Sequence, residues 1–236
     1  MDTHKLKTNG KIILLRHGES IEDLDKDHHK YFEDDEMPLT ELGKKQAQDA
    51  GDEINKEVAN VSNNDVIFYI SPSKRIRETT DEIISRLDEV SQNSVHVLPE
   101  IRKQDWGKVL MEDISKIERE RYETGVLRYG FPTGETSKSY LERFKKFVEN
   151  LKGDIQRSPN ATRVIITHGF ELRLILMNIF NWSEEYFESL EHPKNCEIKK
   201  IIIAVEDGEL KFHLEGKMKI HNRETDPNFI PRRQIN

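Results

Sequence analysis

The sequence contains one cysteine, Cys196, among its 236 residues. A single thiol cannot close a disulfide within the chain, so the composition does not imply an oxidising compartment. The chain begins with MDTHKLKTNGK, which lacks the apolar core of a signal peptide, and its apolar runs, such as residues 201–205, are far too short to span a bilayer. We therefore expect a soluble, cytoplasmic protein without a membrane partner.

Positive charge is the second shortage. The 37 lysines and arginines are outnumbered by 44 aspartates and glutamates, which gives a formal net charge of -7. An acidic chain has no bulk attraction for nucleic acid or for an anionic membrane surface, so neither is expected as a partner. Any anion-binding site must therefore be a local cluster of arginine and histidine.

Apolar residues make up 35% of the sequence, enough for the core of one large domain. Four short runs rich in β-branched residues predict strands buried on both faces, the pattern of a mostly parallel sheet. These strands are residues 11–16, 66–71, 163–167 and 198–205. The predicted helices are residues 40–59, 75–90, 137–151 and 170–180. The alternation predicts an α/β fold, a three-layer α/β/α sandwich with a mostly parallel central sheet.

The sequence has no internal repeat and no composition shift typical of a linker. Residues 1–236 are therefore predicted to form a single domain, with its core at about residues 11–215. Residues 217–236 are polar and contain proline, so this tail is predicted to be loosely held.

Two segments lie outside the alternation of strands and helices. Asp207-Gly208 predicts the turn of a terminal hairpin over residues 198–214. The acidic, histidine-rich residues 21–38 are predicted to be a surface loop. His28 and His29 in this loop are interpreted as solvated rather than as metal ligands, because they do not form an i, i+4 pair on a helix. No metal and no other cofactor is expected.

Polar side chains follow three of the predicted strands. One strand runs into Arg16-His17-Gly18, another into Thr167-His168-Gly169, and a third into Ser71-Pro72, with Arg75 one turn further on. In an open α/β sheet, ligands bind at the carboxyl ends of the strands. We therefore expect two histidines, a serine and several arginines at one edge of the sheet.

Such a cluster suits a phosphoryl group. Arginine offers planar, charge-assisted donors that match phosphate oxygens. A neutral imidazole is a competent nucleophile near pH 7, and neighbouring cations favour the neutral form. Transfer to nitrogen splits one difficult displacement into two easier ones, with positioning and electrostatics supplying most of the catalysis. The expected partner is a small phosphorylated substrate.

Five segments, in a fixed order, carry a resemblance to a known family. They are LRHGES from Leu15 to Ser20, PLT at Pro38 to Thr40 with Gly43, Gln46 and Ala47, Ser71-Pro72 with Arg75 and Thr79, FPTGET from Phe131 to Thr136, and Thr167-His168-Gly169. Together they resemble the histidine phosphatase superfamily, also called phosphoglycerate mutase-like. Finer similarities at residues 71–77, 102–107 and 178–187 resemble its branch of eukaryotic and plant broad-range phosphatases.

The resemblance implies roles for individual residues. It implies that His17 accepts the phosphoryl group and that Arg16, Arg75 and His168 bind it. It places the other expected substrate contacts at Gly18, Ser20, Asp23, Lys103, Gly169 and Glu135. Glu135 has a second interpretation, a first-turn charge that satisfies a helix dipole.

Two positions depart from the family pattern. Lys103 stands where the family has a carboxylic acid that protonates the leaving oxygen, and Asp23 stands where it has asparagine. A leaving-group acid is worth about 10²–10⁴-fold in rate. Three interpretations stay open: another carboxyl (Asp105, Glu100 or Asp23) is the acid, Lys103 is the acid with a pKa lowered by its surroundings, or the protein is slow or inactive and only binds phosphorylated ligands. The change from neutral to acid at Asp23 and from acid to base at Lys103 also suggests that the two form an ion pair across the pocket.

The predicted function is metal-independent hydrolysis of phosphomonoesters through a phosphohistidine at His17. One alternative is a phosphotransferase of the phosphoglycerate mutase type, although the short stretch between Gly107 and Phe131 leaves little material for a lid that excludes water. The other alternative, motivated by Lys103, is a catalytically weak or inactive phosphate-binding module.

Overall fold

The computed structural model of this chain describes residues 8–24, 33–59, 61, 65–88, 94–108, 113–206 and 209–220. The strands in it are β1 (Thr8–Arg16), β2 (Val66–Ile70), β3 (Val95–Val97), β4 (Thr162–Thr167), β5 (Ile198–Glu206) and β6 (Glu209–Leu214). The helices are α1 (Ile21–Leu24), α2 (Glu41–Val58), α3 (Lys74–Ile84), α4 (Ile114–Thr124), α5 (Ser137–Arg157), α6 (Gly169–Phe180) and α7 (Glu184–Ser189). Short 3-10 turns cover Asp34–Glu36 and Pro99–Ile101.

The six strands form one sheet in the order β3-β2-β4-β1-β5-β6. Strands β3, β2, β4 and β1 pair in parallel, and β5 and β6 are antiparallel additions beside β1. Every residue of β4 is buried, as expected for a parallel strand that has a neighbour on each side and helices on both faces. The predicted three-layer fold with a mostly parallel sheet is confirmed.

Different helices cover the two faces of the sheet. Along β1, Ile12 and Leu14 pack with residues of α5 and α6, whereas Ile13 and Leu15 pack with residues of α2 and α3. All four side chains have 0% exposure. This alternation is the two-residue period of an extended strand, and it requires apolar residues at successive positions when both faces are covered.

The helix boundaries follow the predictions in part. The predicted N-cap of α2 is confirmed, because the Thr40 hydroxyl oxygen accepts a 3.0 Å hydrogen bond from the Gly43 amide. Helix α5 continues past the predicted end at residue 151, and Ile155 extends its buried stripe. Helix α3 ends at Ile84, so the prediction of a helix to residue 90 is wrong. The amides of Arg86 and Leu87 donate to carbonyls three residues back, which tightens and closes the last turn.

The end of the chain and the acidic segment add detail. Strands β5 and β6 pair with Glu206 opposite Glu209, as expected for the hairpin, whereas its turn, Asp207-Gly208, lies outside the described residues. The acidic segment is not loop throughout, since α1 and the 3-10 turn Asp34–Glu36 lie within it. His28-His29 also lie outside the described residues.

The first residues of the predicted tail contact the domain. Met218 is buried, and Ile220 forms a bridge with Leu190. Residues 221–236 lie outside the described part of the chain. Every helix in the described part is too short or too polar to cross a lipid bilayer.

Candidate active site

Three parallel strands end side by side and present their polar residues at one edge of the sheet. Strand β4 lies between β1 and β2. The first residues after β1 and β2, His17 and Ser71, still pair with β4, because their amides donate to its carbonyls at 3.1 Å. The imidazole rings of His17 and His168 lie 5.4 Å apart between centroids, edge to face. The structure therefore brings together the residues that follow the three strands.

His17 is buried and neutral. Its Nδ1 lies 2.7 Å from the carbonyl oxygen of Gly18. Because a carbonyl only accepts, this contact assigns the proton to Nδ1 and the lone pair to Nε2. Burial, and then the charges of Arg75 and Arg16, lower the pKa of His17 to about 3. The ring therefore keeps a nucleophilic nitrogen at neutral pH.

His168 has the complementary tautomer. Its Nδ1 lies 3.4 Å from Nη2 of Arg75, and its Nε2 lies 3.2 Å from the hydroxyl of Ser71. A guanidinium only donates, so Nδ1 accepts and Nε2 carries the proton. Burial, followed by the charge of Arg75, lowers the pKa of His168 well below its ordinary value. In this structure the Nε2 proton therefore points to the Ser71 hydroxyl.

Arg75 lies at the start of α3 and has 0% exposure. Its Nη1 donates to the backbone carbonyl of Asp34, and its Nη2 lies 3.4 Å from carboxylate oxygens of Asp34 and Glu22. Its Nε is buried and has no hydrogen-bond partner among the described residues. Buried polar atoms are normally paired, so this donor suits an anionic ligand.

Arg16 is held by the loop that follows His17. Its guanidinium pairs with the carboxylate of Asp23, and it also donates to the carbonyl of Pro193 at 3.3 Å. The same carboxylate accepts from the amide of Ser20 at 3.0 Å and from Nδ2 of Asn195 at 3.3 Å. Burial raises the pKa of Asp23, but the charge of Arg16 and the Ser20 hydrogen bond outweigh burial and lower it. Asp23 is therefore an ionised group that positions Arg16.

Lys103 does not pair with Asp23, so that expectation is wrong. Its Nζ lies 2.8 Å from a carboxylate oxygen of Glu22 and 2.9 Å from one of Asp34. Burial opposes the ammonium charge, but these two carboxylates outweigh burial and raise the pKa of Lys103. The shift is opposite to the one that the lowered-pKa interpretation required. Asp23 pairs with Arg16 instead.

Two segments that are far from His17 in the sequence contact the loop after it. A Cβ atom on Gly18 would lie 2.4 Å from the carbonyl oxygen of Gly43, so the two backbones touch. The amide of Gly18 donates to Thr79 at 3.0 Å, and the amide of Glu19 donates to Gln46 at 2.8 Å. These contacts explain why glycine, glutamine and threonine stand in the matching segments of the sequence.

Gly169 leaves room for other side chains. A Cβ atom there would lie 2.9 Å from Nδ1 of His192 and 3.4 Å from Cδ of Arg16. The Nε2 of His192 is 2.9 Å from a guanidinium nitrogen of Arg173. Arg173 also donates to the carbonyl of Leu190 at 2.7 Å, so it joins the chain after α7 to α6.

Glu135 is held by arginines. Arg143 donates to both of its carboxylate oxygens, at 2.9 and 2.7 Å, and Arg102 lies 3.5 Å from one of them. The first-turn interpretation is wrong, because α5 begins after the N-cap Thr136. Arg143 also donates to the carbonyl of Arg102 at 3.2 Å, so Glu135 fixes the loop that carries Lys103.

The structure thus places the expected residues in three groups. The first group is the pair of rings, His17 and His168, with their contacts Arg75, Gly18 and Ser71. The second group lies next to it and contains Arg16, Ser20, Asp23 and Gly169. The third is Lys103, on a loop that Glu135 supports through Arg143. Sequence reasoning missed Glu22, Asp34, Asn195 and His192. Within the described residues, no cluster of three or more histidine, cysteine, aspartate or glutamate side chains is arranged to hold a metal ion.

Comparisons with known proteins found relatives of this chain. A family model described as "Histidine phosphatase superfamily (branch 1)" matches residues 12–215. The Arabidopsis thaliana phosphoglycerate mutase-like protein AT74H is 31% identical over 88% of this chain and 80% of its own length. AT74 of the same plant is 36% identical over 80% of this chain and 63% of its own length. The broad-range acid phosphatase DET1 of Saccharomyces cerevisiae is 24% identical over 82% of this chain and 86% of its own length.

Solved structures share the fold. The alpha-ribazole phosphatase from Shigella flexneri aligns with a TM-score of 0.62 and 19% identity, covering 86% of this chain and 95% of that one. A mycobacterial glucosyl-3-phosphoglycerate phosphatase solved with VO3 aligns with a TM-score of 0.65 and 16% identity, covering 88% of this chain and 98% of that one. At these identities the likeness describes the architecture.

Proposed function

Because this chain belongs to the histidine phosphatase superfamily, we propose that it hydrolyses phosphomonoesters through a phosphohistidine intermediate at His17. One observation carries the proposal. Two neutral imidazoles lie 5.4 Å apart beside a fully buried arginine, Arg75, whose Nε has no partner among the described residues. A tetrahedral anion between these groups would receive a nucleophile, an N–H donor and a guanidinium.

The roles follow from the two tautomers. The Nε2 lone pair of His17 attacks phosphorus while Nδ1–H keeps its hydrogen bond to the Gly18 carbonyl. This bond holds the orientation of the ring during the reaction. Arg75 and Arg16 neutralise the phosphoryl oxygens, and Nε2–H of His168 exchanges the Ser71 hydroxyl for the oxygen that gains charge. Water then attacks the phosphohistidine, releases inorganic phosphate and restores His17.

Binding without turnover is a second candidate function, favoured by one specific contact. Glu22 and Asp34 hold the ammonium of Lys103 at 2.8 and 2.9 Å, so the residue in the place of the family acid is fixed in two ion pairs. A site that binds the phosphoryl group but lacks a leaving-group acid loses about 10²–10⁴-fold in rate.

The experiment that tests the proposal is phosphoenzyme trapping. The protein is mixed with ³²P-labelled phosphomonoesters and quenched with alkaline denaturant, which preserves the N–P bond. We expect a labelled protein that disappears in His17→Ala and persists in His213→Ala, a matched change at an exposed histidine of β6. Released phosphate supports hydrolysis, an isomerised product without phosphate release favours a mutase, and vanadate binding without label or turnover favours the binding module.

A further inference from the structure

A chain of charged side chains leads from the two rings to Lys103. Arg75 contacts Nδ1 of His168 at 3.4 Å, and its Nη2 also lies 3.4 Å from both Glu22 and Asp34. The other oxygen of each carboxylate binds the ammonium of Lys103, at 2.8 and 2.9 Å. We call Lys103, Glu22, Asp34 and Arg75 the Lys103 cluster. Two parallel bridges therefore fix the ammonium beside the arginine that receives the phosphoryl group.

The carboxylates near the rings are poor sources of a proton. Burial raises the pKa of Glu22 and of Asp34, but the charges of Lys103 and then Arg75 outweigh burial and lower both. The pKa of Asp23 is also lowered, chiefly by Arg16 against burial. At neutral pH these groups are ionised, so they accept hydrogen bonds and cannot protonate a leaving oxygen.

Asp105 and Glu100 are the two other carboxyl groups that the sequence offers as the leaving-group acid. Asp105 is exposed, and its Oδ1 accepts from the amide of Gly107 at 2.7 Å within its own loop. Glu100 has one buried carboxylate oxygen, Oε2, without a hydrogen-bond partner among the described residues. Glu100 is therefore the competing proton donor that an experiment has to separate from Lys103.

We propose that the ammonium of Lys103 protonates the leaving-group oxygen, with Glu22 and Asp34 as the residues that position it; this rests on the proposed hydrolysis through His17. In the first step, Nε2 of His17 forms a bond to phosphorus and the phosphorus–oxygen ester bond breaks. Its electron pair takes a proton from Nζ, which gives the alcohol and a neutral amine. In the second step, water attacks phosphorus, the N–P pair returns to His17, and the amine takes a proton from the water.

The proton transfer runs downhill for aliphatic esters. An alkoxide is about as basic as hydroxide, whose conjugate acid, water, has a pKa of about 15.7, whereas an ordinary lysine ammonium has a pKa of about 10.4. Glu22 and Asp34 raise the pKa of Lys103, which narrows this difference. A leaving group that is more acidic than an ammonium, such as 4-nitrophenol, departs as an anion and needs no proton. Dependence on the leaving group is therefore the signature of this role.

The test compares kcat/KM for glycerol phosphate and 4-nitrophenyl phosphate, because kcat/KM reports the steps up to departure of the leaving group. In Lys103→Met we expect a loss of about 10²–10⁴-fold for glycerol phosphate and less than about 10-fold for 4-nitrophenyl phosphate. Lys103→Arg keeps the positive charge but does not release a proton, so it should show the same selective loss.

Three results would overturn the proposal. One is an equal loss for both esters in Lys103→Met, which indicates a structural or purely electrostatic role. Another is full activity of Lys103→Arg on glycerol phosphate. A third is a selective loss in Glu100→Gln with Lys103→Met unaffected, which assigns the acid to Glu100. If the wild-type protein forms no phosphoenzyme with either ester, the proposed hydrolysis itself fails, and this outcome is distinct from the other three.

Discussion

The burial of His17 makes a prediction about stability in acid. The pKa of His17 falls from an ordinary 6.5 to about 3 in the folded protein, first because of burial and then because of Arg75 and Arg16. A histidine with a depressed folded pKa binds its proton more readily in the unfolded chain. The unfolded state is therefore favoured progressively as the pH falls below 6.5, until the folded pKa of about 3 is reached.

The magnitude follows from the linkage relation. At pH 4.5 the solution is about two units below the unfolded pKa and still above the folded one, and one unit is worth about 1.4 kcal/mol. His17 alone should therefore cost about 3 kcal/mol of folding free energy between pH 7.5 and pH 4.5. His17→Asn removes the titrating ring, so this variant should lose about 3 kcal/mol less over the same interval.

Urea denaturation at the two pH values measures this difference. Comparing each protein with itself cancels the packing cost of the substitution that does not depend on pH. His213→Asn, a change at an exposed site on β6, serves as the control and should follow the wild type. Equal losses in the wild type and His17→Asn would refute the reasoning, because they would show that burial does not exclude the proton from this ring.

Three other predictions concern single contacts. Arg75→Met removes the buried guanidinium and should lower kcat/KM by about 10²–10³-fold and weaken vanadate binding, measured by inhibition; unchanged inhibition would remove Arg75 from the anion site. Gly43→Ala places a Cβ 2.0 Å from a carbonyl oxygen and should cost at least about 2 kcal/mol in urea, whereas Gly153→Ala in α5, with its nearest neighbour at 3.7 Å, should add about 0.5–1 kcal/mol. Tyr140→Phe removes the hydroxyl 2.6 Å from buried Glu171 and should cost about 1–3 kcal/mol, and a neutral result would contradict that pairing.

The edge of the sheet was predictable because its signal is local. An apolar strand that runs straight into Arg16-His17 or into His168 already specifies where those side chains lie once the strands pair in parallel. The N-cap at Thr40 and the buried helix after Gly169 have local signals of the same kind. The family segments added the order of the parts, and the structure adds what the glycines and polar residues in them contact.

The partners of Lys103 were not predictable in this way. The opposite charges at Asp23 and Lys103, both departures from the family pattern, suggested a pair, but pairing depends on which carboxylate the folded backbone brings within reach. Glu22 and Asp34 lie in a segment predicted to be loop, where neither strand nor helix period gives a direction to the side chains. Glu135 was misplaced for a similar reason, because Arg143 reaches it across the N-cap of α5.

The contact between Gly18 and Gly43 has a consequence for how the reactive ring is held. The backbones of Gly18 and Gly43 are in direct contact, with no side chain between them. The distance between them beside His17 therefore cannot be adjusted by a change of rotamer. A methyl group on either glycine would push the loop after β1 away from helix α2. Changes that push these two glycines apart should therefore shift the proposed nucleophile, His17, and destabilise the domain at the same time.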